Sequence, residues 1–347
     1  MVTVIASVII LGIIGIAFGA ILAFASRVFA VEVDPRIEKV EDILPGANCG
    51  ACGAASCFAF AESVVQDKLP ANACVPGGSE GATKIGEILG CEVEETREMR
   101  AAVRCKGGLK ESRQKFTYLG VKDCWAATLL SGGNKACEYG CLGLDSCVEA
   151  CPFNAMAMNE NGLPEVYPEL CTGCGLCVEA CPRGIIELIP KEQKIYLACM
   201  NPGKGKVVTA VCDVGCNGCT LCANPKTTPS GDIKMEGDLP VINFQNNKNL
   251  IAGAHRCAKN SFVVEVAFPP VEYDIEKCNG CPDEPKPLCV KVCPVKECLT
   301  FDKDAKKAHL NKELCIGCEL CVNECPVGAL KEVEEKKGIE HVIEKEM

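Results

Sequence analysis

The chain has 347 residues, 30 of them cysteine, and a net charge of −10. That length allows two or more domains, and an acidic chain without a long basic block carries no electrostatic footprint for nucleic acid. Aromatic residues make up 5% of the chain with a single Trp, which leaves little material for a large aromatic core.

Val2 to Ser26 runs VTVIASVIILGIIGIAFGAILAFAS without a charged residue. About 25 residues at about 1.5 Å each span roughly 37 Å as a helix, enough for a tilted membrane crossing. A cleaved signal is the alternative, since Ala23-Phe24-Ala25 has the small-residue form of a cleavage site. The stretch ahead of it lacks Lys and Arg and the apolar run is too long for a signal core, so a retained anchor is expected. Arg27, Arg36 and Lys39 follow the span, which places the C-terminal bulk in the cytoplasm by the positive-inside rule. Gly15 and Gly19 form a small-residue face that lets another helix approach, or reflect ordinary membrane glycine content.

A cysteine-rich chain is either a disulfide scaffold or a metal protein. Disulfide scaffolds are short secreted chains, whereas here the cysteines fall in tight C-x-x-C-x-x-C groups, several followed by Pro. The first group, Cys49, Cys52, Cys57 and Cys74, has Gly46, Gly50 and Gly53 around its first members, where glycine lets the loop bend close to a cluster. Four thiolates on one short stretch satisfy a [4Fe–4S] cluster, with zinc as the alternative. Phe58 to Val65 reads as helical.

Next come Cys137, Cys141, Cys147 and Cys151-Pro152, then Cys171, Cys174, Cys177 and Cys181-Pro182. The latter is the bacterial ferredoxin run, in which the fourth Cys of each run ligates the cluster of the other. The expected sets are Cys137, Cys141, Cys147 with Cys181, and Cys171, Cys174, Cys177 with Cys151. Lys115 to Leu119 is expected as a strand leading into this module.

Cys216, Cys219 and Cys222 then stand with Cys257 alone downstream. Regular spacing would put the missing cysteines at Lys226, Asn247, Leu250 and Gly253. Crossed ligation makes these four one lost site, leaving Cys216, Cys219, Cys222 and Cys257 as one complete set. The last pair of runs is Cys278, Cys281, Cys289, Cys293-Pro294 and Cys315, Cys318, Cys321, Cys325-Pro326. Crossing gives Cys278, Cys281, Cys289 with Cys325, and Cys315, Cys318, Cys321 with Cys293.

The sum is six [4Fe–4S] clusters on 24 cysteines. Cys91, Cys105, Cys124, Cys199, Cys212 and Cys298 remain. Their spacings match no ligand set, so they read as buried, small, apolar residues. The sharper alternative has Cys105 with Cys124, or Cys199 with Cys212, holding something extra.

The expected fold class is α+β: an N-terminal transmembrane helix, a small one-cluster [4Fe–4S] domain and tandem bacterial-ferredoxin-like modules. The expected boundaries are an anchor at 1–30, a one-cluster domain at 31–100, and a two-cluster module with its connecting segment at 101–195. A degenerate one-cluster module at 196–270, a two-cluster module at 271–332 and a charged tail at 333–347 follow. Each half-module is expected to carry a short helix after its Cys-Pro pair. Gly203-Lys204-Gly205-Lys206 lacks dinucleotide-fingerprint spacing, and no P-loop is present. His255, His309 and His341 form no triad pattern, so no catalytic residue is expected and the clusters carry the chemistry.

An apolar helix, then C-x2-C-x4-C-x16-C, then ferredoxin modules resembles the B-subunit family of the Rnf complex, an ion-translocating ferredoxin:NAD+ oxidoreductase. Cys137-Glu138-Tyr139-Gly140-Cys141-Leu142-Gly143-Leu144-Asp145-Ser146-Cys147, with Gly132-Gly133 before it, also looks like that family. The resemblance implies an electron-relay subunit of a redox-driven membrane ion pump, itself transferring electrons only. Its implied partners are soluble ferredoxin, the membrane subunits of the complex, which lead on to NAD+, and the bilayer through residues 2–26. The implied location is the inner (cytoplasmic) membrane, crossed once, with the cluster domains on the cytoplasmic side. Electrons would enter at the C-terminal module, where Lys286, Lys291 and Lys296 form a basic spot or are ordinary solvated lysines, and leave near the Cys49–Cys74 cluster. A corrinoid-linked or other polyferredoxin-type electron carrier and a zinc-binding scaffold are the alternatives.

Overall fold

The computed structural model describes residues 2–28, 34–94, 96–244 and 246–333. The chain divides into two units, Met1–Glu94 and Glu95–Met347.

In the first unit, α1 (Val2–Val28) is apolar on every side and closes on Arg27. Its stretch Ile9–Val28 has a mean hydropathy of 2.5 and none of it is buried. An all-round apolar helix of this length is suited to lipid rather than to water. α2 (Pro35–Glu41) starts at Asp34, whose carboxylate accepts from the Arg36 N–H, with Pro35 in the first turn, where its missing N–H costs nothing. α3 (Cys57–Val65) starts at Ser56, whose hydroxyl accepts from the Ala59 N–H, and includes the stretch expected to be helical. α4 (Gly78–Leu89) ends on Gly90 in the left-handed region, the common glycine stop. Ile37, Val40, Leu44, Phe60, Val64 and Ile85 form the core between α2, α3 and α4.

The second unit repeats one topology three times. The first copy is β1 (Met99–Val103), α5 (Cys124–Leu129), α6 (Ser146–Glu149), β2 (Met156–Met158), β3 (Pro164–Val166), α7 (Leu176–Glu179) and β4 (Ile186–Pro190). β1 pairs antiparallel with β4 and closes the copy, and β2 pairs with β3 as an inner hairpin. The middle copy is β5 (Ile195–Leu197), α8 (Lys206–Thr209), β6 (Ile233–Glu236), β7 (Leu239–Ile242), α9 (Asn247–His255) and β8 (Phe262–Val264). There β5 pairs with β8 and β6 with β7. The last copy is β9 (Glu272–Tyr273), α10 (Leu288–Val292), β10 (Leu299–Asp302), β11 (Lys307–Leu310), α11 (Leu320–Asn323) and β12 (Leu330–Lys331). Its outer pair is β9 with β12 and its inner pair β10 with β11.

Three features depart from the sequence-based expectation. The short helices α6, α7 and α11 lie before Cys-Pro rather than after it. Proline disfavours the helical conformation of the residue ahead of it, so Cys151, Cys181 and Cys325 end those helices. Lys115–Leu119 forms no strand; only Ser112 and Gln114 nearby make isolated bridges, to Cys212 and Lys135. The strand that enters the first copy is β1, whose partner β4 lies far downstream. That pairing takes Met99 and Arg100 into the second unit, so the division falls ahead of residue 100. The tail expected at 333–347 lies, from residue 334 on, outside the described residues.

Ion pairs join the copies of the second unit. Arg100, 1% exposed, holds Glu265 at 2.5 Å and the Gln193 carbonyl at 2.7 Å, and lies over the Tyr196 ring. Lys248 holds Glu319 at 2.8 Å and Glu332 at 2.5 Å.

Candidate metal centres

In the small domain, the N-terminus of α3 delivers Cys57 toward the loop carrying Cys49 and Cys52. Asn48 Oδ1 accepts from the Cys57 N–H at 2.7 Å and pins that loop. Cys74 sits at the end of a short 3-10 turn, Ala71–Ala73. Cys49, Cys52, Cys57 and Cys74 line one cavity together.

In the first copy, Cys151, Cys171, Cys174 and Cys177 line one cavity. Gly173 takes φ +72°, and a Cβ there would lie 2.4 Å from the Met99 carbonyl oxygen. Only glycine therefore lets this loop close against β1. The Ala101 N–H, on β1, points at Cys171 Sγ at 3.4 Å.

The partner cavity of this copy differs from the expected grouping. It is lined by Cys141, Cys147 and Cys181 together with Cys124, not Cys137. Asp123 caps α5, accepting from the Ala126 N–H at 2.6 Å, and also accepts from the Ser146 hydroxyl at 3.2 Å. That hydroxyl in turn accepts from the Cys124 N–H at 2.8 Å. These bonds fasten the start of α5 to the start of α6 and so bring Cys124 beside Cys147. Cys137 is held elsewhere by the Gln114–Lys135 bridge and by the Ala136 N–H donating to the Arg113 carbonyl at 2.8 Å. The sequence carried a signal for this. Regular spacing counted back from Cys151-Pro152 gives Cys147, Leu144 and Cys141. The run thus lacks its second cysteine, and Cys137 lies outside it.

In the middle copy, Cys216 and Cys222 lie buried in one core with Cys257 packed against it, and the exposed Cys219 is within electrostatic reach of Cys222. Of the four positions of the lost site, Lys226 is exposed and the other three are occupied otherwise. Asn247 Oδ1 accepts from Gln193 Nε2 and from the Lys194 and Ile195 N–H groups. Leu250 is fully buried, and a Cβ on Gly253 would lie 2.7 Å from Ile233 Cδ1. Side chains fill the space a second cluster would take. In the last copy, Cys278, Cys281 and Cys325 gather around Cys289. Cys293, Cys315, Cys318 and Cys321 line a common cavity, with Cys298 also on its wall.

Among the described residues no three His, Cys, Asp or Glu side chains converge as closely as a single metal ion requires. Four thiols on one cavity suit a cubane cluster, whose four iron corners each take one thiolate, and equally the four ligands of a structural zinc. Burial pushes the Cys141, Cys147, Cys177 and Cys222 thiols up to about 12. Metal must therefore displace protons from them, so occupancy weakens as pH falls. Of the basic spot considered from sequence, Lys291 is neutralised by Glu284.

A family model described as an Fe-S cluster matches residues 44–76, the stretch around the first cavity. A second, the 4Fe-4S binding domain, matches residues 164–187 and 308–331. The chain is 39% identical over 290 residues to the B subunit of the ion-translocating oxidoreductase complex of Methanosarcina acetivorans, covering 84% of this chain and 96% of the relative. The chain belongs to the family of Rnf B subunits. The B subunit of the proton-translocating ferredoxin:NAD(+) oxidoreductase complex of Clostridium ljungdahlii is 45% identical over 241 residues, 69% of this chain and 84% of that one. The B subunit of the Na(+)-translocating ferredoxin:NAD(+) oxidoreductase complex of Acetobacterium woodii is 36% identical over 299 residues, 86% and 78% respectively. Iron–sulfur domains, an apolar N-terminal helix and mixed helix and strand are thus features of an Rnf B subunit in this chain.

Proposed function

We propose that the chain is the electron-relay subunit of a membrane redox-driven ion pump, accepting electrons from reduced ferredoxin and passing them to membrane subunits and ultimately to NAD+. The observation that carries this reading is the repeated gathering of four thiols in a domain matched by 4Fe-4S families. Six [4Fe–4S] clusters would be held by Cys49, Cys52, Cys57 and Cys74; by Cys124, Cys141, Cys147 and Cys181; by Cys151, Cys171, Cys174 and Cys177; by Cys216, Cys219, Cys222 and Cys257; by Cys278, Cys281, Cys289 and Cys325; and by Cys293, Cys315, Cys318 and Cys321. When bound, such clusters supply one-electron transfer, over a wide range of potentials.

The protein's own residues bind, shield and tune. The N–H groups of Ala101, Ser261 and Ala329 point at the sulfurs of Cys171, Cys257 and Cys325 at 3.3–3.4 Å. Such donors stabilise thiolate charge and thereby raise the potential of what the thiolates hold. The buried side chains of Ile185 and Ile186 shield the Cys124 group from water. α1 would cross the inner membrane once, and Arg27, Arg36 and Lys39 behind it would keep the cysteine-bearing units on the cytoplasmic side. The short tether between α1 and Cys49 favours handing electrons to membrane subunits from the small domain.

The test is made on the full chain, purified anaerobically from membranes. Iron and acid-labile sulfide in equal amounts, at about 24 or more each per chain, are expected, with visible bleaching on adding reduced ferredoxin. Zinc in place of iron, or no bleaching with a competent ferredoxin, would overturn the reading.

A further inference from the structure

The rearrangement around Cys137 leaves it with three cysteines that no ligand set above uses. Cys105, Cys137, Cys199 and Cys212 line a single cavity. The Cys105 and Cys137 thiols lie within electrostatic reach of Cys212, and the Cys105 thiol within reach of Cys199. The space around these thiols, open solvent included, is about 380 Å³, against 310–370 Å³ for the four-cysteine cavities of the small domain, the first copy and the last copy. In size and donor set this cavity belongs with the others.

Its construction comes from distant parts of the chain. Ser112 bridges to Cys212 and Gln114 bridges to Lys135, so one segment draws Cys212 and Cys137 to the same place. Gly107 leaves room for the Cys212 thiol, since a Cβ there would lie 2.8 Å from Sγ. Three of the four sulfurs have an N–H donor aimed at them. The Cys141 N–H points at Cys105 Sγ at 3.4 Å, the Cys216 N–H at Cys199 Sγ at 3.3 Å, and Asn201 Nδ2 at Cys137 Sγ at 3.4 Å. The Lys135 ammonium, on a side chain 5% exposed, donates to the Gly107 carbonyl at 2.6 Å beside the cavity. No carboxylate ion pair to Lys135 occurs among the described residues. A buried cation needs an opposite charge nearby, and a thiolate-bound cluster, which is anionic, supplies one.

We infer that Cys105, Cys137, Cys199 and Cys212 hold a seventh [4Fe–4S] cluster. The inference rests on the cluster reading of the other six sets. It also gives the site a place: Cys105 is one hydrogen bond from Cys141 of the first copy, and Cys199 one hydrogen bond from Cys216 of the middle copy. The seventh set therefore stands between the cysteines of two neighbouring copies and links them. Only Cys91 and Cys298 then fall outside a set of four.

Native mass spectrometry of the anaerobic full-length chain counts whole clusters. The heaviest state is expected to carry seven. Cys212→Ala and Cys105→Ala should each reduce it to six, the double variant should also stop at six, and Cys91→Ala should keep seven. Cys137→Ala with Cys124→Ala should reduce it to five, because these residues serve different sites. A heaviest native state of six, decided without any variant, overturns the inference, as does a zinc ion at this site or unchanged counts in the Cys212→Ala and Cys105→Ala chains. Absence of clusters from the whole chain would instead overturn the reading of the other six.

Discussion

The first and middle copies of the repeated topology share a frame and differ in what fills it. Both have an outer antiparallel ladder and an inner hairpin. In the first, two four-cysteine groups flank a short apolar layer of Ala101, Val103, Ile185 and Ile186. In the middle copy, one of the two places is taken by Leu250, Ile233 and the close approach of Gly253. The comparison teaches that the ladder needs something dense and dry beneath it. Four thiols around a cluster and a handful of packed aliphatic side chains are interchangeable in that role, as close packing of interiors implies.

The comparison breaks most visibly where metal supplies the core. Cys177→Ala is expected to lose about four iron per chain and to open the β1–β4 ladder, read as lost hydrogen-exchange protection at Ala102 and Ile189, which belong to its hydrogen-bonded pairs. Retained protection would show that the ladder stands without the metal. In the middle copy, Leu250→Ala should leave iron untouched and cost about 3 kcal/mol, the usual result of emptying a fully buried leucine site. Iron loss in that variant would mean that the plug supports the neighbouring thiols as well as the ladder. The smallest effect falls on a link between copies. Lys248→Ala removes a partly exposed pair of ion contacts to Glu319 and Glu332, and should lower stability by about 1 kcal/mol or less, shrinking further in high salt. A larger, salt-independent loss would make the copies one cooperative unit held at that point.

Much of this was legible along the chain. Ligands that lie a few residues apart on one loop must share a site, because the loop cannot carry them apart. That is why the groupings around Cys52, Cys174 and Cys318 could be read directly. Counting the same spacing on from Cys222 and back from Cys257 gave Lys226, Asn247, Leu250 and Gly253 as the positions of a site without cysteines. The same count from Cys151 would have shown that Cys137 is outside its run and that one ligand was missing.

Where the missing ligand came from was a different kind of fact. Cys124 reaches Cys147 only because Asp123 and Ser146 tie α5 to α6. Cys105, Cys137, Cys199 and Cys212 meet only because the segment near Ser112 bridges to two remote parts of the chain at once. Local spacing governs contacts within a loop, where chain connectivity limits the distance. Contacts between residues scores of positions apart carry no such limit and depend on which backbone groups pair once the chain has folded. The chain's cysteine runs thus set the ligand chemistry and the repeat of runs, and its apolar first segment a helix long enough to cross a membrane. Tertiary pairing decided which cysteines stand together, and with it a seventh place for a cluster.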